Sequence, residues 1–261
     1  MIMELDQIIS LLEAETPANP NSPQNQKLAG KLEQELAKYF DDLGNAFPYQ
    51  KLSSIYNRNV KESLRSETEN ILDPLLASLE KELLVKVGGQ LVTIYMSGSA
   101  EMITWGKTKG GVPIAYEGPP MSEAVDWAEK NAARLVTQMD EETKRRLAQV
   151  VSDGIQSKRG IPGLSRDIKS TFGDMSKYRS QLIARTETSN ALSNASLDRM
   201  EEMGIEGKEW VTVGDAQVSP ECQGNEAEGV IPTNQSFSGG TMGPPQHPNC
   251  RCSLAPAILP E

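Results

Sequence analysis

Histidine occurs once in this sequence and cysteine three times, and the first 221 residues contain neither. That absence removes thiol and imidazole chemistry from most of the chain. Neither a Cys–His nucleophile pair nor a Cys/His metal site can be built there. No apolar run reaches the roughly 18 residues that a membrane-spanning helix needs. The first residues, Met1-Ile2-Met3-Glu4-Leu5-Asp6, lack the basic start and long apolar stretch of a signal peptide. The expected compartment is therefore reducing cytoplasm, where neighbouring Cys and His indicate a metal more often than a disulfide. A P-loop, a G-x-G-x-x-G and the H-x-E with P-C-x-x-C pairing of zinc deaminases are all missing. No oxyanion-hole glycine pattern accompanies the lone histidine, so no enzymatic role is expected. Positive charge is also short: 26 Lys and Arg face 36 Asp and Glu, a net charge of -10. Such a field repels a phosphate backbone and excludes nucleic-acid affinity spread over the whole surface. It leaves three local basic patches: Lys144-Arg145-Arg146, Lys158-Arg159, and Lys177 with Arg179.

Aromatic residues are only 5% of the chain, while Ala, Leu, Glu, Gln and Lys dominate before the last 60 or so positions. That composition favours helix. Leu5, Ile8, Ile9, Leu11 and Leu12 give residues 4–15 one apolar helical face, and three prolines between Thr16 and Pro23 then break it. Residues 1–23 read as an amphipathic helix and Pro-rich arm, mobile or ordered by a neighbour. Residues 24–118 read as a helical domain. Leu28, Leu32, Leu36 and Phe40 mark its first helix, and a second runs from about Tyr49 to Leu72. Asp73-Pro74 marks a new helical start, and Gly88-Gly89 a break. The Gly- and Pro-rich stretch 107–120 reads as a domain boundary. After it, helices start at Ser122 and at Asp140, a short one ends at Gly173, and a long one runs from about Ser176 to Met203, closed by Gly204. Beyond Gly204 the 3.6-residue spacing disappears. Lys208–Val213, Val230-Ile231 and Arg251–Leu254 read as short strands in a small β/loop module over 205–261. The fold class is mainly α, or α+β overall.

Chemistry concentrates at the end. His247, Cys250 and Cys252 lie within six residues, and Cys222 lies 25 residues before His247. An extended C-x-C puts both sulfurs on one face, a Pro-Asn turn can bring His247 beside them, and Cys222 is the natural fourth group. One imidazole and three thiolates form an accepted structural zinc set. The C-x-C bite is tight, so one thiol can stay out with Asp215 entering instead. The alternative is three buried thiols and a surface imidazole, since free cysteine packs as a small hydrophobe. Upstream, Arg185 and Glu187 sit two apart on the long helix and cannot face each other. They are expected to look to partners in the terminal module, tying it to the helix by buried or half-buried hydrogen bonds. Trp210 reads as core.

Taken in order, Ala184-Arg185-Thr186-Glu187 on a long helix, then Trp210-Val211-Thr212-Val213-Gly214-Asp215, then His247-Pro248-Asn249-Cys250-Arg251-Cys252, resemble the phage head morphogenesis family, the minor head proteins similar to protein F of phage Mu. The resemblance covers roughly residues 119–256, making 119–261 a Mu F-like domain. It matches Arg185, Thr186, Glu187, Trp210, Asp215, Gly229, His247, Cys250 and Cys252. The chain departs from the pattern at Ser219, where many relatives carry Arg or Cys. This leaves one candidate ligand fewer than in the Cys-rich variants. The resemblance implies a structural protein of the virion head, assembled in the host cytoplasm, with the portal or major capsid protein as partner and no membrane. A DNA-binding internal head protein is the alternative reading, and a zinc-dependent enzyme the third.

Overall fold

A computed structural model describes residues 16–53, 64–108 and 121–259. The expected helix over 4–15 and the expected boundary near 118 lie outside them. Six α-helices are described: α1 (Pro23–Ala46), α2 (Leu64–Thr108), α3 (Met121–Gln156), α4 (Ile161–Asp174), α5 (Ser180–Glu202) and α6 (Pro220–Ala227). The strands are β1 (Gly207–Val211), β2 (Val230–Pro232) and β3 (Ser253–Ala257). The class is mainly α with a small antiparallel sheet at the end, as expected. By contacts the chain divides into two compact units. One comprises Met1–Leu32, Gln90–Ala128 and Leu182–Glu261, the other Glu33–Gly89 and Glu129–Gln181.

The second unit is helical. Leu36, Phe40 and Leu43 from α1, Leu76 and Leu83 from α2, Leu135, Met139 and Leu147 from α3, and Ile168 and Phe172 from α4 are all buried. Their spacing puts one apolar stripe on each helix, and joining the stripes removes them from water. Tyr39 donates to Asp140 at 2.6 Å, and Lys144 pairs with Asp73 at 2.9 Å. Four expected helix breaks do not occur. Pro74 lies inside α2, α3 runs through Asp140, and the helix passes Gly173 into a π-turn, Met175–Arg179, that leads directly into α5. An interior proline costs about 3 kcal/mol and a glycine about 1. Around Pro74, Leu72, Leu76 and Leu83 are fully buried or nearly so, and each such side chain stabilises by roughly 1.5–3 kcal/mol. Burial therefore exceeds the local cost. The same holds at Gly88-Gly89, which α2 also crosses.

In the first unit, the described part of the Pro-rich arm is not free. Ala18 and Asn19 are buried. The Ala18 N–H donates to Glu101 at 2.8 Å, and the Asn21 amide donates to the Arg251 carbonyl at 2.7 Å. Turn residues with short polar side chains can satisfy their own backbone while packed, which composition alone does not reveal.

Gly204 (φ +68°) ends α5. Its N–H donates to Glu201 O at 3.0 Å and that of Ile205 to Met200 O at 2.9 Å, the paired bonds of a Schellman motif that only a left-handed residue permits. The chain then enters β1, the centre of a sheet ordered β2-β1-β3, with Trp210 opposite Leu254 and Lys208 opposite Ile231. Trp210, Ile231, Phe237, Leu254 and the three cysteines pack with Met102 of α2 and Met200 of α5. The terminal module thus leans on two helices of its own unit.

Lys208 is fully buried in this module. Its ammonium donates to Thr233 O at 2.9 Å and Met242 O at 2.7 Å and lies over the Phe237 ring. Desolvation pulls its pKa from 10.5 to about 8. The unfolded chain therefore holds a proton between those values that the folded chain has released. Stability rises with pH across that window, and the penalty is fully present below about 8. The neutral amine keeps two N–H groups for the two carbonyls. Denaturant unfolding of wild type and Lys208→Met should show wild type gaining relative to the variant as pH rises from 8 to 10.5. A flat difference would show that the buried amine does not change protonation on folding.

Candidate metal centre

Two turns bring the terminal Cys and His together. Ser219 caps α6, its hydroxyl accepting from the Cys222 N–H at 3.2 Å, with Pro220 at the first helical position. This fixes Cys222 in the first turn of a short helix. Sequence reasoning missed α6, although Ser-Pro-Glu is an N-terminal signal. The other turn is His247–Cys250, closed by Cys250 N–H to His247 O at 3.1 Å. Pro248 takes its second position and Asn249 its third, with φ +60°. Proline presets the one and asparagine tolerates the left-handed other, the chemistry of a type II turn.

The result is convergence. The Cys222 sulfur lies 3.5 Å from His247 Nε2 and 3.6 Å from the Cys250 sulfur, and these three ligand atoms all lie within 4.8 Å of one another. Atoms bound to one zinc at about 2.0–2.3 Å stand about 3.5–4 Å apart, so the donor set fits such an ion. His247 Nδ1 lies 3.0 Å from the Pro248 carbonyl. Donation there leaves the Nε2 lone pair facing the sulfurs, the arrangement found around metal-bound imidazoles. The three cysteines are buried and unbridged. Cys222, His247 and Cys250 can therefore hold a metal.

The sulfurs differ electrostatically. A hydrogen bond from Cys252 draws the Cys250 thiol well below its ordinary value. Cys252, as donor to Cys250 and buried, is pushed far up. Burial also raises Cys222. The Trp210 indole N–H finds no acceptor in hydrogen-bonding geometry and draws weakly on the Cys252 sulfur. Cys252 thus adjoins the cluster without joining the group of mutually close ligand atoms.

Asp215 does not approach it as a ligand. Both its oxygens take the Arg251 guanidinium, at 2.6 and 2.7 Å, and that pairing holds its carboxyl below the usual range. This bridge crosses from the β1 turn to the loop carrying the cysteines. Trp210 is core, fully buried.

Arg185 meets the module as expected, through Asn249, but from an exposed position, and a residue not expected makes the shorter contact. Thr186 makes it: its hydroxyl accepts the Asn249 N–H at 3.0 Å while donating to Leu182 O at 2.8 Å. Arg185 is exposed and reaches Asn249 Oδ1 only at 3.3 Å. Glu187 is buried and accepts from Asn190 on its own helix. The expected burial of Arg185 is therefore corrected. Its position on the helix turns it outward, where water solvates the guanidinium and no buried partner is needed. Arg185→Ala should cost under about 1 kcal/mol and Thr186→Ala about 1 kcal/mol, read by denaturant unfolding. A larger loss at Arg185 than at Thr186 would reverse this assignment.

Residues 130–255 match the family described as Phage Mu protein F like protein. No curated protein and no solved structure matches the chain. The matched segment is Phage Mu protein F-like, and it contains the three motifs on which the resemblance was drawn.

Proposed function

We propose, from a segment over 130–255 that is Phage Mu protein F-like, that this protein is a minor head protein of a phage virion. Its role is to bind the portal or the inner capsid wall during head assembly, and it is structural, without catalysis. The observation that carries this reading is the meeting of separate motif residues. Thr186 of the helical motif holds Asn249 of the His-Pro-Asn-Cys loop, and Asp215 of the β1 turn holds Arg251 of the same loop. The matched pattern is thus a single mechanical unit fastened to α5. No helix among the described residues is long and apolar enough to cross a membrane.

The metal in this reading is zinc, bound by Cys222, His247 and Cys250, with Cys252 as the nearest further donor. Bound there, zinc would supply a cross-link between α6 and the terminal loop. The protein's own residues set the geometry. Ser219 fixes Cys222, the Pro248–Asn249 turn fixes His247 and Cys250, and the Pro248 carbonyl orients the imidazole.

The test is capture of the phage's portal and major capsid proteins by the full chain, beside a DNA mobility shift at several salt concentrations. Capture of either head protein supports the reading. Failure to capture either, with tight DNA binding that falls steeply with salt, defeats it in favour of a DNA-binding internal protein.

A further inference from the structure

Of the three basic patches in the sequence, two are spent internally in part, and what is left of the first meets the third. Lys144 pairs with Asp73, and Arg159 makes a two-pronged pair with Asp167 at 2.7 and 2.8 Å. Arg145 and Arg146 of α3 instead meet Arg179 of the π-turn around a single carboxylate. Arg145 reaches Glu142 at 2.6 and 2.8 Å, Arg146 at 2.7 Å, and Arg179 at 3.6 Å. Among the described residues three guanidiniums share this one carboxylate, a local excess of two positive charges. Arg179 shows the excess. Its Nε is buried without an acceptor, and burial together with the Arg146 charge lowers its pKa. Beside it the π-turn exposes Lys177, its ammonium 4.9 Å from the ring centre of Tyr178. Tyr178 is 60% exposed. A π-turn costs helical hydrogen-bond geometry and is found often at functional positions.

We infer that the face formed by Arg145, Arg146 and Arg179 receives an acidic segment of a protein partner, one carboxylate entering the guanidinium cluster beside Glu142. The inference rests on the assembly role proposed above and names the chemistry of its partner. Charge complementarity selects the occupant. Glu142 demonstrates that these forks accept a carboxylate in planar geometry. Arginine is among the residues that anchor protein interfaces. A DNA duplex fits less well, for two reasons. It carries a charge about every 1.7 Å and needs a continuous basic track, which the pairing of Lys144 and Arg159 interrupts. It must also approach a chain of net charge -10.

The test uses the full chain and the double variant Arg145→Glu/Arg146→Glu. Arg145 is largely in solvent, at 65% exposure, and Arg146 partly so, at 41%, so the fold should survive, as a thermal melt will verify. Arg159→Glu is the control for charge alone. Each is presented with the portal and major capsid proteins of the same phage and with a short DNA duplex. The expected result is binding of a head protein that weakens at least about tenfold in the double variant and little in the control. Equal capture by wild type and double variant overturns the inference while leaving the assembly role standing. Loss of duplex binding without loss of protein capture makes the face a nucleic-acid site and overturns it also. If wild type captures neither head protein, the inference and the assembly role both fall.

Discussion

Cys250→Ser should abolish stoichiometric zinc in the purified protein and unfold the terminal module, while the helices of the second unit keep their ellipticity. The argument begins with how little the module has to bury. Trp210, Ile231, Phe237 and Leu254 are its large buried apolar side chains, with three thiols packed among them. A segment of about 50 residues with so small a core usually needs a staple. Part of that need is met by Met102 and Met200, so the module does not depend on metal alone. The remainder falls to Cys222, His247 and Cys250, whose ligand atoms already stand at metal-binding separations. Binding energy for a structural zinc is about 10–16 kcal/mol in small zinc-finger peptides, and because an unfolded chain has no preformed site, that energy becomes folding energy. A chelator should reproduce the loss in wild type, and added zinc should reverse it. Cys252→Ser is the sharper companion. Its sulfur lies beside the group rather than within it, so the variant should retain zinc with reduced affinity. Wild-type protein purified without chelator that contains no zinc, and whose melting is unchanged by chelation, would reduce the cluster to packed thiols.

Much of this arrangement was open to sequence reasoning, and the reasons it stopped where it did are physical. Leu32, Leu36 and Phe40 are legible because a helix repeats its buried face every 3.6 residues and all three are fully buried. Strand β1 is legible because its alternation changes the period. The His247–Cys250 turn is legible because proline and asparagine have few other uses in that order. Helix continuity was not. Pro74, Gly88-Gly89 and Gly173 are local signals for a break, and what overrides them is burial contributed by residues far away in sequence. Helix α6 escaped because eight residues with only Cys222 and Asn225 buried offer no apolar stripe. Thr186 escaped as the tie because charge drew the reading to its neighbours, whereas a helix-surface threonine gives no hint that its hydroxyl faces a backbone N–H. The meeting of Arg145 and Arg146 with Arg179 depends on the fold of two helices and has no trace in spacing.

Trp210→Ala should cost about 3–5 kcal/mol, the usual range for removing a large buried aromatic. Trp210 is fully buried at the centre of the sheet. It meets Phe237 edge to face at 5.2 Å between ring centres and stands opposite Leu254 on β3. Deletion of the ring opens a cavity between β1 and the loop over it, and Lys208, also beside Phe237, would lose part of its cover. Trp210→Phe should behave differently. The indole N–H is buried with no acceptor in hydrogen-bonding geometry, and such a group costs about 1–3 kcal/mol in desolvation. Phenylalanine removes that donor while keeping most of the ring, so the recovered desolvation offsets much of the lost volume. The expected order is a large loss for Ala and a small one for Phe, measured by denaturant unfolding with zinc content checked in each sample. Trp105 and Trp127 remain as fluorescence probes. If the two variants lose equally, the indole N–H has a partner in solution, and its contact with the Cys252 sulfur is the one to examine by replacing that cysteine in both backgrounds.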